Sequence, residues 1–150
     1  MEYLILRAFE LDGAEVGWPY NVPLADVPGE RTTVEQVDGL VWLDGLCFMI
    51  ESKNAADRIN FDPIAKLRSR LSRRPAPMLG LIFSRLGFTD VAKTMTRFTS
   101  PQTVLLWEGA ELDFALSAAG EMVKALRLKY RMAMKYAIPD YNITAGTLVP

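Results

Sequence analysis

The chain has 150 residues, half of them apolar, with a formal charge of −1 and no histidine. That length suits one domain with a real core, the apolar content excludes a disordered chain, and the charge excludes a globally basic nucleic-acid coat while leaving room for basic patches. A single cysteine excludes an intrachain disulfide; no apolar run approaches bilayer-spanning length and no basic segment leads a hydrophobic one at the start, so a cytoplasmic protein with no membrane partner is expected.

In chain order, the spacing of Leu4, Ile5, Ala8 and Phe9 predicts a helix over 2–11, ended by Asp12-Gly13. A short strand is expected near 15–20. Pro19, Pro23, Pro28 and Gly29 then punctuate a connection to about residue 33, long enough to close over a substrate.

Residues 34–53 read as two apolar strands joined by Asp44-Gly45, a pair suited to a type I′ turn because both central residues need positive φ. With Leu43 facing Leu46, Asp38 falls opposite Glu51 and Gln36 opposite Lys53. Alternation puts Gln36, Asp38, Leu40, Trp42, Cys47, Met49, Glu51 and Lys53 on one face and Val37, Val41, Leu43, Leu46, Phe48 and Ile50 on the other. Both faces are apolar near the turn, which predicts a central hairpin covered on two sides.

Two facing carboxylates at the edge of an apolar sheet repel one another unless a cation or a shared proton lies between them. A divalent metal is the simplest resolution. Oxygen ligands without histidine favour Mg²⁺ or Mn²⁺, held by Asp38 and Glu51 with the Ser52 carbonyl as a further ligand. Lys53 points to the same side, where it can hold a water or neutralise charge on a phosphate, and Gln36 can orient that water or a phosphate oxygen. Cys47 reads as a small core residue, since no histidine is present to activate a thiol.

Beyond a polar connection, Asp62-Pro63 is expected to cap and begin a helix whose Ile64, Leu67 and Leu71 face inward, with Pro75 stopping it. Lys66, Arg68, Arg70, Arg73 and Arg74 lie on its other sides. They read either as a solvated face or as contacts to backbone phosphates. Residues 78–84 form a continuous apolar run expected as a buried strand. Thr89 is expected to cap a helix with Val91, Ala92, Met95 and Phe98 as its apolar set, ended by Ser100-Pro101. A strand over 103–107 follows, then helix from 111 to about 137, interrupted near Gly120. Its last part sets Met122, Leu126, Tyr130, Ala133 and Ala137 along a stripe, with Lys124, Arg127, Lys129, Arg131 and Lys135 elsewhere.

Asp38 followed by Glu51-Ser52-Lys53 resembles the core motif of the restriction-endonuclease-like superfamily, PD-(D/E)xK. The opening MEYLILRAFELDGAEV resembles the first helix and glycine turn of the Mrr-like type IV restriction branch, with Met1 where that branch usually has Phe. Gly87-Phe88-Thr89 followed by Ala92 is a second point of contact, and the resemblance covers roughly residues 1 to 118. It implies a three-layer α/β/α fold with a mixed sheet of four or five strands, in one nuclease domain over 1–150 with a C-terminal helical extension over 119–150. It also implies a Mg²⁺-dependent endonuclease and gives Glu2 a place in the site, with Glu10 as the competing acid. DNA is the expected substrate, in restriction, defence or repair, with a homodimer or a separate specificity subunit as partner. The rival expectations are a non-catalytic binding module on the same fold and a structural protein whose acidic hairpin end is merely solvated.

Overall fold

The computed structural model describes residues 1–23, 33–75, 77–98 and 103–145. The first helix, α1 (Glu2–Leu11), buries Ile5, Leu6 and Phe9, whereas Leu4, expected inside, is exposed. Its C-cap Asp12 leads into Gly13, whose φ of +92° reverses the chain. The Asp12 carboxylate then accepts from the amides of Gly120, Met122 and Val123. A carboxylate is favoured there because these donors belong to a helix N-terminus.

The expected strand over 15–20 is split at Trp18-Pro19 into β1 (Glu15–Gly17) and β2 (Tyr20–Pro23). The connection expected to close over a substrate falls on 24–32, outside the described residues. Next come β3 (Thr33–Val37), β4 (Gly39–Leu43) and β5 (Leu46–Lys53). The Asp44-Gly45 turn has φ of +53° and +79°, and it sets Leu43 against Leu46 and Gly39 against Ile50.

The hairpin departs from expectation at Asp38, which lies between strands. β3 leaves the ladder and pairs with β2 in a separate two-stranded sheet, so the Cα partner of Gln36 is Asn21 and not Lys53. Gly39 explains the break: a Cβ there would lie 2.7 Å from Cδ1 of Leu6, so only glycine lets the strand cross α1 this closely. The kink also changes faces. Val37 packs in the cluster of Leu40 and Met49, opposite Val41, Phe48 and Ile50.

The rest of the chain alternates helix and strand: α2 (Phe61–Leu71), β6 (Met78–Ser84), α3 (Asp90–Arg97), β7 (Val104–Glu108), α4 (Gly109–Leu116) and α5 (Glu121–Tyr136). Helix α2 is capped by Asn60, whose side chain accepts from the Asp62 amide at 3.1 Å, so Asp62 sits inside the first turn rather than at the cap. Thr89 caps α3 as expected.

The main sheet runs β1-β4-β5-β6-β7, antiparallel as far as β5 and parallel from β5 to β7. One face packs Val41, Phe48, Ile50, Leu81, Phe83 and Trp107 against α1, α4 and α5. The other packs Leu40, Met49, Ile82 and Leu106 against Ile64, Leu67 and Leu71 of α2 and Ala92 of α3. Each such side chain taken from water contributes about 1.5–3 kcal/mol, so both faces must stay covered. This is a three-layer α/β/α fold with a mixed five-stranded sheet.

Two other expectations change. Val91, Met95 and Phe98 of α3 are exposed, while Ala92 and Thr96 face inward. Lys129, read as part of an outer basic face, is buried, and its ammonium donates to Oε1 of Glu111 at 2.5 Å and to the Tyr141 carbonyl. Among the described residues no helix is long and apolar enough to cross a membrane.

Candidate active site

Three elements converge where β5 emerges from the sheet: the start of α1, the break before β4 and the last residues of β5. Extending the hairpin register by one pair would set Asp38 opposite Glu51. Asp38 has left the ladder, and its Oδ2 instead accepts from the Ser52 amide at 3.0 Å. The Ser52 hydroxyl donates to Oε2 of Glu2 at 3.0 Å. Ser52 thus holds Glu2 and Asp38 on either side of itself, next to Glu51.

Glu10 lies elsewhere, paired with Arg7 along α1. Of the two acids on that helix, Glu2 is the one at this cluster. The amino group of Met1 lies 3.4 Å from the same Glu2 oxygen.

Glu51 is 6% exposed. Its Oε1 lies 2.5 Å from the Lys53 ammonium, and its Oε2 accepts from Nη1 of Arg70 at 2.6 Å. Arg70 is on α2, whose Ile64, Leu67 and Leu71 face the sheet and so swing the arginine toward the end of β5. Two cations satisfy one buried carboxylate, as burial of that charge requires.

The electrostatics single out Asp38. Burial pushes its carboxyl above the usual range, the nearby charges of Glu51 and Glu2 push it further, and the Ser52 amide and Lys53 only partly offset them. Glu2 shifts the other way, lowered by hydrogen bonds from its own backbone amide and from the Ser52 hydroxyl. One acid here resists ionisation while its neighbour favours it, the asymmetry expected of carboxylates crowded around one site. Burial also pushes the Cys47 thiol up, which disfavours the thiolate.

Sequence reasoning missed Glu35. It is 7% exposed on β3 and accepts from Nη2 of Arg73 at 2.9 Å, with Nη2 of Arg74 at 3.4 Å and Nε of Arg70 at 3.8 Å. The signal was available: period-two alternation places Glu35 on the same side as Val37, the inward side of β3. The basic set of α2 divides accordingly. Arg70, Arg73 and Arg74 are engaged by acids, Arg68 is half-buried with no hydrogen-bond partner for its Nε among the described residues, and Lys66 is exposed. Gln36 is exposed on the two-stranded sheet, paired with Asn21 rather than with Lys53.

The donors at the cluster are carboxylates and a hydroxyl, the oxygen chemistry that suits Mg²⁺ or Mn²⁺. Among the described residues, no group of three or more His, Cys, Asp or Glu side chains is arranged to hold an ion by itself. An octahedral Mg²⁺ needs only one or two carboxylates, with water and substrate phosphate completing its shell.

The architecture and this cluster together define a mixed α/β protein with acids and a lysine gathered at the end of a central strand. Among solved structures, a protein of unknown function, AF1548, shares the fold with a TM-score of 0.54 and 14% sequence identity, over 91% of this chain and 77% of that one. The MspJI restriction endonuclease in complex with a 27-mer oligonucleotide aligns with a TM-score of 0.47 and 16% identity, over 99% of this chain and 33% of that one. No family model and no curated protein matches the sequence.

Proposed function

We propose that the protein is a metal-dependent nuclease that hydrolyses phosphodiester bonds in nucleic acid, DNA first, in a restriction, defence or repair setting. The observation that carries this reading is Ser52 holding both Glu2 and Asp38 beside the Glu51–Lys53 pair. The PD-(D/E)xK resemblance read from Asp38, Glu51 and Lys53 points the same way.

In this reading Asp38 and Glu51 hold Mg²⁺ or Mn²⁺, with the Ser52 carbonyl as a further ligand and Glu2 beside them. The bound ion would supply a water of lowered pKa and neutralise charge on the phosphate. Lys53, held beside Oε1 of Glu51, would orient the attacking water and stabilise charge developing on the phosphate oxygens. Arg70, Arg73, Arg74 and the exposed Lys66 hold backbone phosphates, which positions substrate without reading its sequence. This reading assigns no role to Gln36, whose strand pairs with β2 rather than with β5.

The alternative is a non-catalytic binding module. The observation in its favour is that Lys53 and Arg70 each pair with Glu51, so that two cations compensate its charge. Incubating the protein with supercoiled plasmid and single-stranded DNA in Mg²⁺, Mn²⁺ or EDTA separates the two. The nuclease reading expects metal-dependent cutting that is absent with EDTA and in Asp38→Asn. Wild type that stays folded, cuts nothing and binds no Mn²⁺ by calorimetry puts the binding module first.

A further inference from the structure

Between the last turns of α2 and the end of β5, one arginine stands between two buried carboxylates that are not equally satisfied. Arg70 donates through Nη1 to Oε2 of Glu51 at 2.6 Å, while its Nε remains 3.8 Å from Oε1 of Glu35, too far for a hydrogen bond. That Oε1 is buried and, among the described residues, accepts no hydrogen bond, although Nη2 of Arg74 stands 3.4 Å from it. Buried carboxylate oxygens are rarely left so, and an exception calls for an explanation.

We propose that Arg70 is a two-position guard. On Glu51 it closes that carboxylate; when a divalent metal takes Glu51, it moves onto Oε1 of Glu35 and turns its freed Nη1 to a backbone phosphate of bound nucleic acid. The inference rests on the metal site proposed above, and it adds a role for Glu35, which that site does not use.

Three observations support the exchange. Glu51 has no oxygen free of a cation, since Lys53 takes Oε1 and Arg70 takes Oε2. A metal therefore has to displace at least one of them. Lys53 is tethered two residues away on the same strand, whereas Arg70 comes from another element and has a second carboxylate beside it. Glu35 is that second carboxylate: Arg73 already satisfies its Oε2 at 2.9 Å, and among the described residues Oε1 has the approaches of Arg74 at 3.4 Å and Arg70 at 3.8 Å. The planar guanidinium suits the exchange, because it can donate through Nε to one carboxylate and through its Nη groups to a phosphate at the same time. Arg73, half exposed beside it, leaves the approach open to a polyanion.

Because metal and phosphate both favour the Glu35 position, each must strengthen the binding of the other by the same factor. Glu35 is a positioning residue in this scheme, acting only through Arg70.

The test is calorimetric titration of Mn²⁺ into wild type, Arg70→Ala, Arg70→Gln, Glu35→Gln and Glu51→Gln, each with and without a phosphorothioate-substituted duplex that resists cutting. Wild type should bind Mn²⁺ about tenfold more tightly with the duplex than without it, within the usual range of coupling between sites. Both Arg70 variants should bind Mn²⁺ more tightly than wild type without the duplex and gain less from the duplex than wild type does, since only direct ligation of the metal by phosphate then remains. Glu35→Gln should bind more weakly than wild type, because the guard loses its second position; a residue that only supported the fold would lower stability and leave Mn²⁺ affinity unchanged. Arg70→Gln keeps the stem and a donor should Arg70→Ala not fold. If the Arg70 variants match wild type while Glu51→Gln abolishes binding, the guard is wrong and the metal site stands. If no protein binds Mn²⁺ in either condition, guard and metal site fall together.

Discussion

The backbone amide of Ser52 donates to Oδ2 of Asp38 at 3.0 Å, in the place where a strand-to-strand bond would have formed had the hairpin run on. The side chain replaces the backbone of a strand that has turned away. Asp38 is thereby pinned beside Glu51 and Glu2 in a position that disfavours its charge.

That position has a stability cost with a definite sign. The Asp38 carboxyl is raised above its usual 3.8 by burial, so the folded protein holds this proton more tightly than the unfolded chain. The stabilisation it provides is complete below the unfolded value and is lost as pH rises through the folded one. At neutral pH without metal, Asp38→Asn should therefore raise Tm, since asparagine can still accept from Ser52. The gain should vanish in acid below the usual aspartate value. Saturating Mn²⁺ should raise Tm of wild type and leave the variant unchanged. Thermal scans across pH, with EDTA and with Mn²⁺, check both halves.

Gly39 creates the break that frees Asp38. A Cβ at that position would lie 2.7 Å and 2.8 Å from the two Cδ atoms of Leu6, a fully buried side chain with little room to move. Gly39→Ala should cost about 1–3 kcal/mol, the usual range for overpacking a core. The shift in urea midpoint measures it. A midpoint equal to wild type would show that the crossing of α1 and β4 is loosely packed.

Lys129 and Glu111 form a buried pair between α5 and α4, on the same face of the sheet as α1, 2.5 Å apart, with Glu111 also accepting from the Ile143 and Glu108 amides. Burial lowers the Lys129 pKa while Glu111 opposes that shift. Lys129→Met should destabilise by about 3–5 kcal/mol, because it strands the carboxylate. The double variant with Glu111→Gln should recover part of the loss, and equilibrium urea unfolding of the three variants tests this.

The parts of the fold that were legible in the sequence are those set by local chemistry. Asp44-Gly45 fixed the turn and register through positive φ, Asp12-Gly13 ended α1, Thr89 capped α3 and Gly120 parted the last two helices. The break at Asp38 was hidden, because residues 33–37 keep strand alternation and the cause is Leu6, a contact more than thirty residues away. On α3, Val91, Met95 and Phe98 have the spacing of a buried stripe. The helix instead docks through the small Ala92 and through Thr96, whose hydroxyl is satisfied by the Ala92 carbonyl at 2.7 Å.

The site was legible in the same uneven way. The register gave Asp38, Glu51 and Lys53 a common place, and the structure brings them together with Glu2 through Ser52. It failed for Gln36, which lies past the break. Charge alone cannot say which arginines are solvated. Arg70, Arg73 and Arg74 are drawn to Glu35 and Glu51 by the packing of α2 on the sheet, which no residue count along α2 reveals.

The most direct measurement compares wild type with Lys53→Ala for plasmid cutting in Mn²⁺, with Mn²⁺ binding followed by calorimetry in parallel. Lys53 serves the attacking water and the phosphate rather than holding the metal, so the variant should keep Mn²⁺ affinity and lose cutting by about 10²–10³-fold, as for removal of one transition-state donor. Cutting by Lys53→Ala at the wild-type rate, or cutting by wild type in EDTA, would contradict a metal-dependent active site at the end of β5.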